Sequence, residues 1–390
     1  MANRAPLLEG YTVLDLASVG PAARTSRWLA DFGAAVVKVA PTPKHGAAQV
    51  TPWFFAYSGH RGMQRVMIDL KEPAGRDAFL RLAAGTDVVI ESFRPGVVDR
   101  LGIGYEDVRA VNPGIVYCST TGFGQDGPYA AHAGHDLGYL AIGGFLDCSG
   151  RGPDGAPAIP GATVADSAAG GMHAVMSILA ALLRRTTTGL GTHLDVAVAD
   201  GVVALMSLAV DEYLATGVVP GPRHGVLTGR YAWYDVYVCA DDKWLAVAII
   251  EPQFFANLCR ELGCEQWLEH QYDEDTQDAM RADFRAVFAT RDRDDWVAQL
   301  APVDTCVAPV YTVPELVDDP HFASRHVFVD AQSAEHGAFR QAGWLFAGMD
   351  RQQPPAEVRD QSVTDTRALL GAAGCTSEEI DELTEKGVVA

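Results

Sequence analysis

Y-T-V-L-D-L at Tyr11–Leu16, a helical run at Ala22–Phe32 closed by Gly33, and A-V-V-K-V at Ala35–Val39 decide the fold. The two apolar runs are short and nearly continuous, as in strands buried on both faces. The segment between them has the length and pattern of a crossover helix. Working outward, Val66–Leu70 predicts a third strand and Pro73–Ala84 an amphipathic helix. D-V-V-I-E at Asp87–Glu91 predicts a strand, Val97–Leu101 and Tyr105–Val111 short helices, and I-V-Y-C-S at Ile115–Ser119 another strand. This alternation predicts an α/β fold with a parallel sheet covered on both faces.

After Gly122 the pattern changes. G-F-G-Q-D-G-P at Gly122–Pro128 is a glycine-rich loop, His135–Phe145 reads as a helix, and Ser149–Gly161 is a Gly/Pro loop. Asp166–Arg185 predicts one long helix of small residues, His193–Val198 a strand and Ala199–Ala215 a helix. Tyr231–Cys239 and Trp244–Ile250 alternate like a hairpin about Ala240–Lys243. Helices are expected at Gln253–Leu262, Asp275–Thr290 and Asp294–Leu300, with a strand at Cys306–Val310. Phe339–Phe346 predicts a strand returning to the first domain. Ser362–Gly371 and Thr376–Lys386 predict helices, the second opened by a Thr376/Glu379 capping box. The expected organisation is a large domain at 1–198 completed by 339–390, a helical linker at 199–228, a small α+β domain at 229–325 and a return linker at 326–338.

The chain has 390 residues, 48% of them hydrophobic and 21% charged, which suits a folded protein of two domains. Its formal net charge of −20 argues against nonspecific binding to nucleic acid or anionic membrane, so neither partner is expected. An anionic ligand needs a local cluster of Arg and Lys. The seven cysteines form no C-x-x-C pair and no zinc-type spacing, which suits free thiols in a reducing cytoplasm. M-A-N-R-A-P-L-L-E-G lacks the apolar stretch of a signal peptide. The longest apolar-rich segment, Gly170–Leu183, is interrupted by His173 and Ser177 and reads as too short to span a bilayer.

G-F-G-Q-D-G-P follows a strand, but its spacing is not the G-x-G-x-x-G of a dinucleotide site. A tight turn that brings backbone close to a ligand, or a purely structural turn, fits it. Lys38 ends one strand; Arg94 in F-R-P-G and Arg100 follow another. Such positions line the ligand crevice of a doubly wound sheet, so the three can converge on phosphates; any one alone reads equally as a surface residue. His135 follows Gly134 at a helix start, Asp166 opens a helix, and Glu251 follows the strand Leu245–Ile250. Their ordinary readings are a structural histidine, an N-cap carboxylate and a strand-end acid. Together they offer an imidazole and two carboxylates, a set suited to taking a proton from carbon on one face and returning it on the other.

Further motifs run nearly the whole length: L-A-D-F-G-A-A-V-V-K-V (Leu29–Val39), F-R-P-G (Phe93–Gly96), L-G-I-G (Leu101–Gly104), V-N-P (Val111–Pro113), G-F-G-Q-D-G-P, A-G-H-D (Ala133–Asp136), V-A-D (Val164–Asp166), D-G (Asp200–Gly201) and E-P-Q-F (Glu251–Phe254). With these the chain resembles the α-methylacyl-CoA racemases within the family III CoA-transferase (CaiB/BaiF-like) superfamily. The resemblance implies a large Rossmann-like parallel-sheet domain, a small α+β domain and an interlocked homodimer. It implies His135 and Asp166 as the acid/base pair, with Glu251 paired to the imidazole across the subunit boundary. It also implies an acyl-CoA substrate whose CoA meets Lys38, Arg94, Arg100, Gly124 and Tyr139, with no metal or redox cofactor. The backbone N–H of Asp136 is expected to face the enolate oxygen. Three positions depart from the family pattern: R-G-M-Q-R at Arg61–Arg65 in place of R-G-K-R, Ala162 where racemases carry Asn, and the bulky Arg24 in P-A-A-R-T. The rival reading is CoA transfer with Asp136 as nucleophile. A non-catalytic acyl-CoA-binding protein is a third.

Overall fold

The computed structural model describes residues 6–17, 19–43, 54, 62–349, 351–352, 355–360 and 362–390. These divide into two compact units, one of 1–144, 160–206 and 320–390, the other of 145–159 and 207–319.

In the first unit the elements run β1 (Thr12–Asp15), α1 (Gly20–Asp31), β2 (Ala35–Ala40), β3 (Gln64–Met67), α2 (Pro73–Ala84), β4 (Val88–Glu91), α3 (Val97–Leu101), α4 (Tyr105–Val111), β5 (Val116–Thr121) and α5 (Asp136–Ile142). After an excursion through the second unit come a π-helix (Ala165–Met172), α6 (His173–Thr188), β6 (Thr192–Ala197) and α7 (Val198–Leu205). The six strands form one parallel sheet in the order β3-β2-β1-β4-β5-β6. That is the doubly wound arrangement with its crossover between β1 and β4.

Strand alternation divides the core. Val13 pairs in register with Val36 and Val88, and Val88 with Val116. These four valines pack with Ala22 and Leu29 of α1 and Ile178 and Leu182 of α6. Leu14, Val37, Val89 and Tyr117, one residue on, face the other way against Phe79 of α2. That face is completed by the C-terminal helices Thr366–Ala372 and Ser377–Glu385 through Leu370 and Ile380. Burying each such side chain contributes about 1.5–3 kcal/mol, which is why the continuous apolar runs are sheet strands. Thr376 and Glu379 form the expected capping box.

The second unit carries an antiparallel sheet, β7 (Tyr234–Val238), β8 (Trp244–Ala248) and β9 (Val307–Pro309). Trp233, Tyr237, Leu245, Phe255, Phe284 and Phe288 form its core with the helices Pro252–Glu261 and Gln277–Phe288. All seven cysteines are free thiols.

Three elements differ from the sequence reading. The single helix expected at Asp166–Arg185 opens as a π-helix, in a run (A-D-S-A-A-G-G-M) whose two glycines weaken the α form. With α6 it makes 24 continuous residues, Ala165–Thr188, apolar and long enough to cross a bilayer by length and composition. The expectation that this segment is too short is therefore corrected, although Ala174, Ile178 and Leu182 lie in the core of the sheet domain. The helix expected at Ala199–Ala215 breaks at Met206 into α7 and Ser207–Thr216, and the two pieces fall in different units. Finally, 326–338 contains a strand, Phe328–Ser333, which pairs antiparallel with Gly337–Ala342 and parallel with Ala356–Val358.

Candidate active site

The sheet delivers β5 to the glycine-rich loop 122–128. Gly122 and Gly134 are small because Tyr139 of α5 fills the space between their segments. A Cβ would lie 2.4 Å from the Tyr139 ring at Gly122 and 2.5 Å at Gly134. Phe123 meets the same ring edge-on at 5.3 Å. Gly124 turns at φ +85°, and the following N–H, of Gln125, donates to Asp195 Oδ2 at 2.9 Å.

His135 precedes α5 in extended backbone with its side chain exposed, and its carbonyl accepts the N–H groups of Gly138 and Tyr139. Asp136 opens the helix, and its Oδ1 accepts the backbone N–H of Asp166 at 2.8 Å. This one bond ties the start of α5 to the start of the π-helix. The glycines of the π-helix bring further elements in. A Cβ at Gly170 would meet Pro21 at 2.6 Å, one at Gly171 would meet Trp28 at 2.7 Å, and one at Gly201 of α7 would lie 2.0 Å from the Ala169 carbonyl oxygen. The π-helix that carries Asp166 is thus packed against α1, α5 and α7. Arg24 of α1 pairs with it, Nη1 lying 3.2 Å from Asp166 Oδ2, while Arg24 Nη2 donates to Thr163 Oγ1 at 2.9 Å.

Burial pushes the Asp166 carboxyl above the usual carboxylate range. Arg24 opposes that shift, Asp136 reinforces it and His135 opposes it. The Tyr139 hydroxyl is raised as well, by burial first and then by Asp166 and Asp136. His135, Asp136, Asp166 and Tyr139 consequently form one electrostatic group.

Other expected residues lie differently. Lys38 is buried, its ammonium 2.5 Å from Asp15 Oδ2 and hydrogen-bonded to the Ala17 carbonyl. Its role as a phosphate ligand is corrected: the ammonium neutralises a carboxylate inside the sheet domain. Arg94 and Arg100 are exposed after β4, where Glu91 Oε2 accepts the Phe93 N–H at 2.7 Å and fixes the loop. Burial pushes that glutamate up to about 7. Glu251 belongs to the second unit, exposed at the N-cap of Pro252–Glu261 and near the Cys306 thiol. Arg61 lies outside the described residues. Ala162 leaves no side-chain amide before Asp166, and Arg24 with Thr163 fills that neighbourhood. The sequence reading saw the bulk of Arg24 but not its ion pair. The signal was an arginine set among small residues at a helix start. Among the described residues, no group of three or more His, Cys, Asp or Glu is placed to hold a metal ion.

A doubly wound sheet whose β5 leads into a glycine-rich loop, with an imidazole and a raised carboxyl at the starts of the helices beyond it, defines a Rossmann-like enzyme fold, and comparison with known proteins gives its family. The chain belongs to CoA-transferase family III, whose model matches residues 8–360. It is 32% identical over 386 residues to the alpha-methylacyl-CoA racemase of Homo sapiens, covering 98% of this chain and 97% of that one. It is also 32% identical over 340 residues to the acetyl-CoA:oxalate CoA-transferase of Acetobacter aceti, covering 82% and 85%. Among solved structures, a CaiB/BaiF family protein from Brucella suis superposes with a TM-score of 0.76 at 28% identity, covering 94% of this chain and 99% of that one.

Proposed function

We propose that the chain is a racemase or epimerase inverting the α-carbon of 2-methylacyl-CoA thioesters. His135 takes the α-proton from one face, electrons pass to the thioester oxygen as an enolate, and Asp166 delivers a proton to the other face. For the mirror substrate the two residues exchange roles. CoA stays bonded to the acyl group throughout. The observation that supports this reading is the Asp136–Asp166 hydrogen bond, which ties the helix that His135 precedes to the segment that carries Asp166. The upward shift of Asp166 brings its proton affinity toward that of an imidazole, so that the pair can share one proton. In this reading the Asp136 N–H, first in its helix and without an intrahelical acceptor, faces the enolate oxygen. Arg94 and Arg100 meet CoA phosphates. The protein works as an interlocked homodimer in the cytoplasm, Glu251 orients the imidazole from the partner subunit, and free thiols suit that compartment. The carboxylate of Asp136 supports a second reading, transfer of CoA to a free acid through a mixed anhydride, in line with the likeness to a transferase. Incubation in D2O with each enantiomer of a 2-methylacyl-CoA, with and without a free carboxylic acid, separates the two. Racemisation gives α-deuterium and inversion; transfer gives a new thioester.

A further inference from the structure

Arg24 has no task in the two-base scheme, yet it touches one of the two bases. Its side chain is only 16% exposed, with Nη1 on Asp166 and Nη2 on Thr163 Oγ1. Gly171 makes room for it: a Cβ there would sit 3.2 Å from the Arg24 Cβ. The guanidinium is therefore seated against the π-helix, while the backbone of Asp166 is held separately by Asp136. We propose that Arg24 is a positioning residue that keeps the Asp166 carboxylate ionised and aimed, and so sets the pH at which the His135/Asp166 pair holds a single proton.

The charged and titratable groups around Asp166 fix the sign. Arg24 comes from α1; His135, Asp136 and Tyr139 come from α5 and the residue before it. The third element packed on the π-helix, α7, carries Asp200 as its one titratable residue. Removing Arg24 leaves burial and the like charge of Asp136 opposed only by His135, so Asp166 binds its proton more tightly. An opposite charge at this range lowers a carboxyl by about 1–3 pH units.

The consequence for turnover rests on the racemase reading; the pairing does not. The test labels aspartate with 13C at the carboxyl and identifies the Asp166 signal by its loss in Asp166→Asn. In Arg24→Gln the titration midpoint of Asp166 rises by about one pH unit or more. The acidic limb of kcat/KM for α-proton exchange moves to higher pH with it. Arg24→Lys, which keeps the charge, recovers most of both shifts. An Asp166 midpoint unchanged in Arg24→Gln overturns the proposal. Should that variant not fold, Arg24→Met, which keeps the length and removes the charge, decides: a raised midpoint supports the proposal, and an unmoved one overturns it equally. A shifted midpoint in a protein that exchanges no α-proton at any pH overturns the racemase reading and leaves Arg24 in its place.

Discussion

Asp136 carries both readings of the reaction, and one substitution parts them. Its Oδ1 accepts the Asp166 N–H, a task the amide oxygen of Asn performs as well. Under proton transfer, Asp136→Asn keeps α-exchange within about tenfold of wild type, whereas Asp136→Ala strands a backbone donor worth about 1–3 kcal/mol and loses more. The acidic limb of the Asn variant moves to lower pH, because the like charge that raises Asp166 is gone. If Asp136 is a nucleophile, the Asn variant transfers nothing. Steady-state kinetics across pH reads the difference. At this scale A-G-H-D and V-A-D drew attention to His135, Asp136 and Asp166, and the structure links the backbone of Asp166 to the Asp136 carboxylate. The sequence misdirected on Lys38, because a strand-end lysine looks the same whether its ammonium reaches a ligand or an internal partner such as Asp15. The Arg24–Asp166 pair joins residues 142 positions apart, and no local pattern reports that contact.

The parallel strands were legible because their apolar runs leave no other use for them; Pro73–Ala84, Val97–Leu101 and Tyr105–Val111 match the expected helices end to end. The π-helix was not legible. Its residues have the composition of a small-residue α-helix, and the form it takes goes with close approach of α1 and α7. Gly201→Ala tests that dependence. The added Cβ would meet backbone atoms of Ala169, 2.0 Å from the oxygen, and neither partner is a flexible side chain. A loss of about 1–3 kcal/mol in urea unfolding is expected, together with reduced α-exchange, since Asp166 sits on the displaced segment. Gly138→Ala is the control: it has nothing within 4 Å of its Cβ and lies inside α5, so it leaves stability unchanged or gains up to about 1 kcal/mol.

For the whole molecule, the sequence changes from strand–helix alternation to a hairpin followed by helices, and the chain divides into two compact units. Their boundaries were not legible, because the break at Met206 sits inside an apolar run broken there only by Ser207, and the strand Phe328–Ser333 carries a polar alternation that reads as linker. The proposed sharing of sites between subunits has a direct test. Differently tagged chains, one carrying His135→Ala and the other Glu251→Ala, are co-expressed and the mixed dimer isolated. If Glu251 is supplied in trans, one of the two sites is intact and the mixed dimer shows about half the wild-type activity. If each chain builds its own site, both sites carry a lesion and the mixed dimer is as inactive as its parents.

The central claim is that an imidazole and a carboxyl serve opposite faces of one carbon. It is tested most directly by following α-deuterium incorporation and configuration for both enantiomers of a 2-methylacyl-CoA in D2O. The wild type should label and invert either enantiomer. His135→Ala and Asp166→Asn should each lose inversion by about 10²–10⁴-fold, each still exchanging the α-proton of a different enantiomer. A wild type that leaves the α-proton in place while passing CoA to an added carboxylic acid contradicts the account.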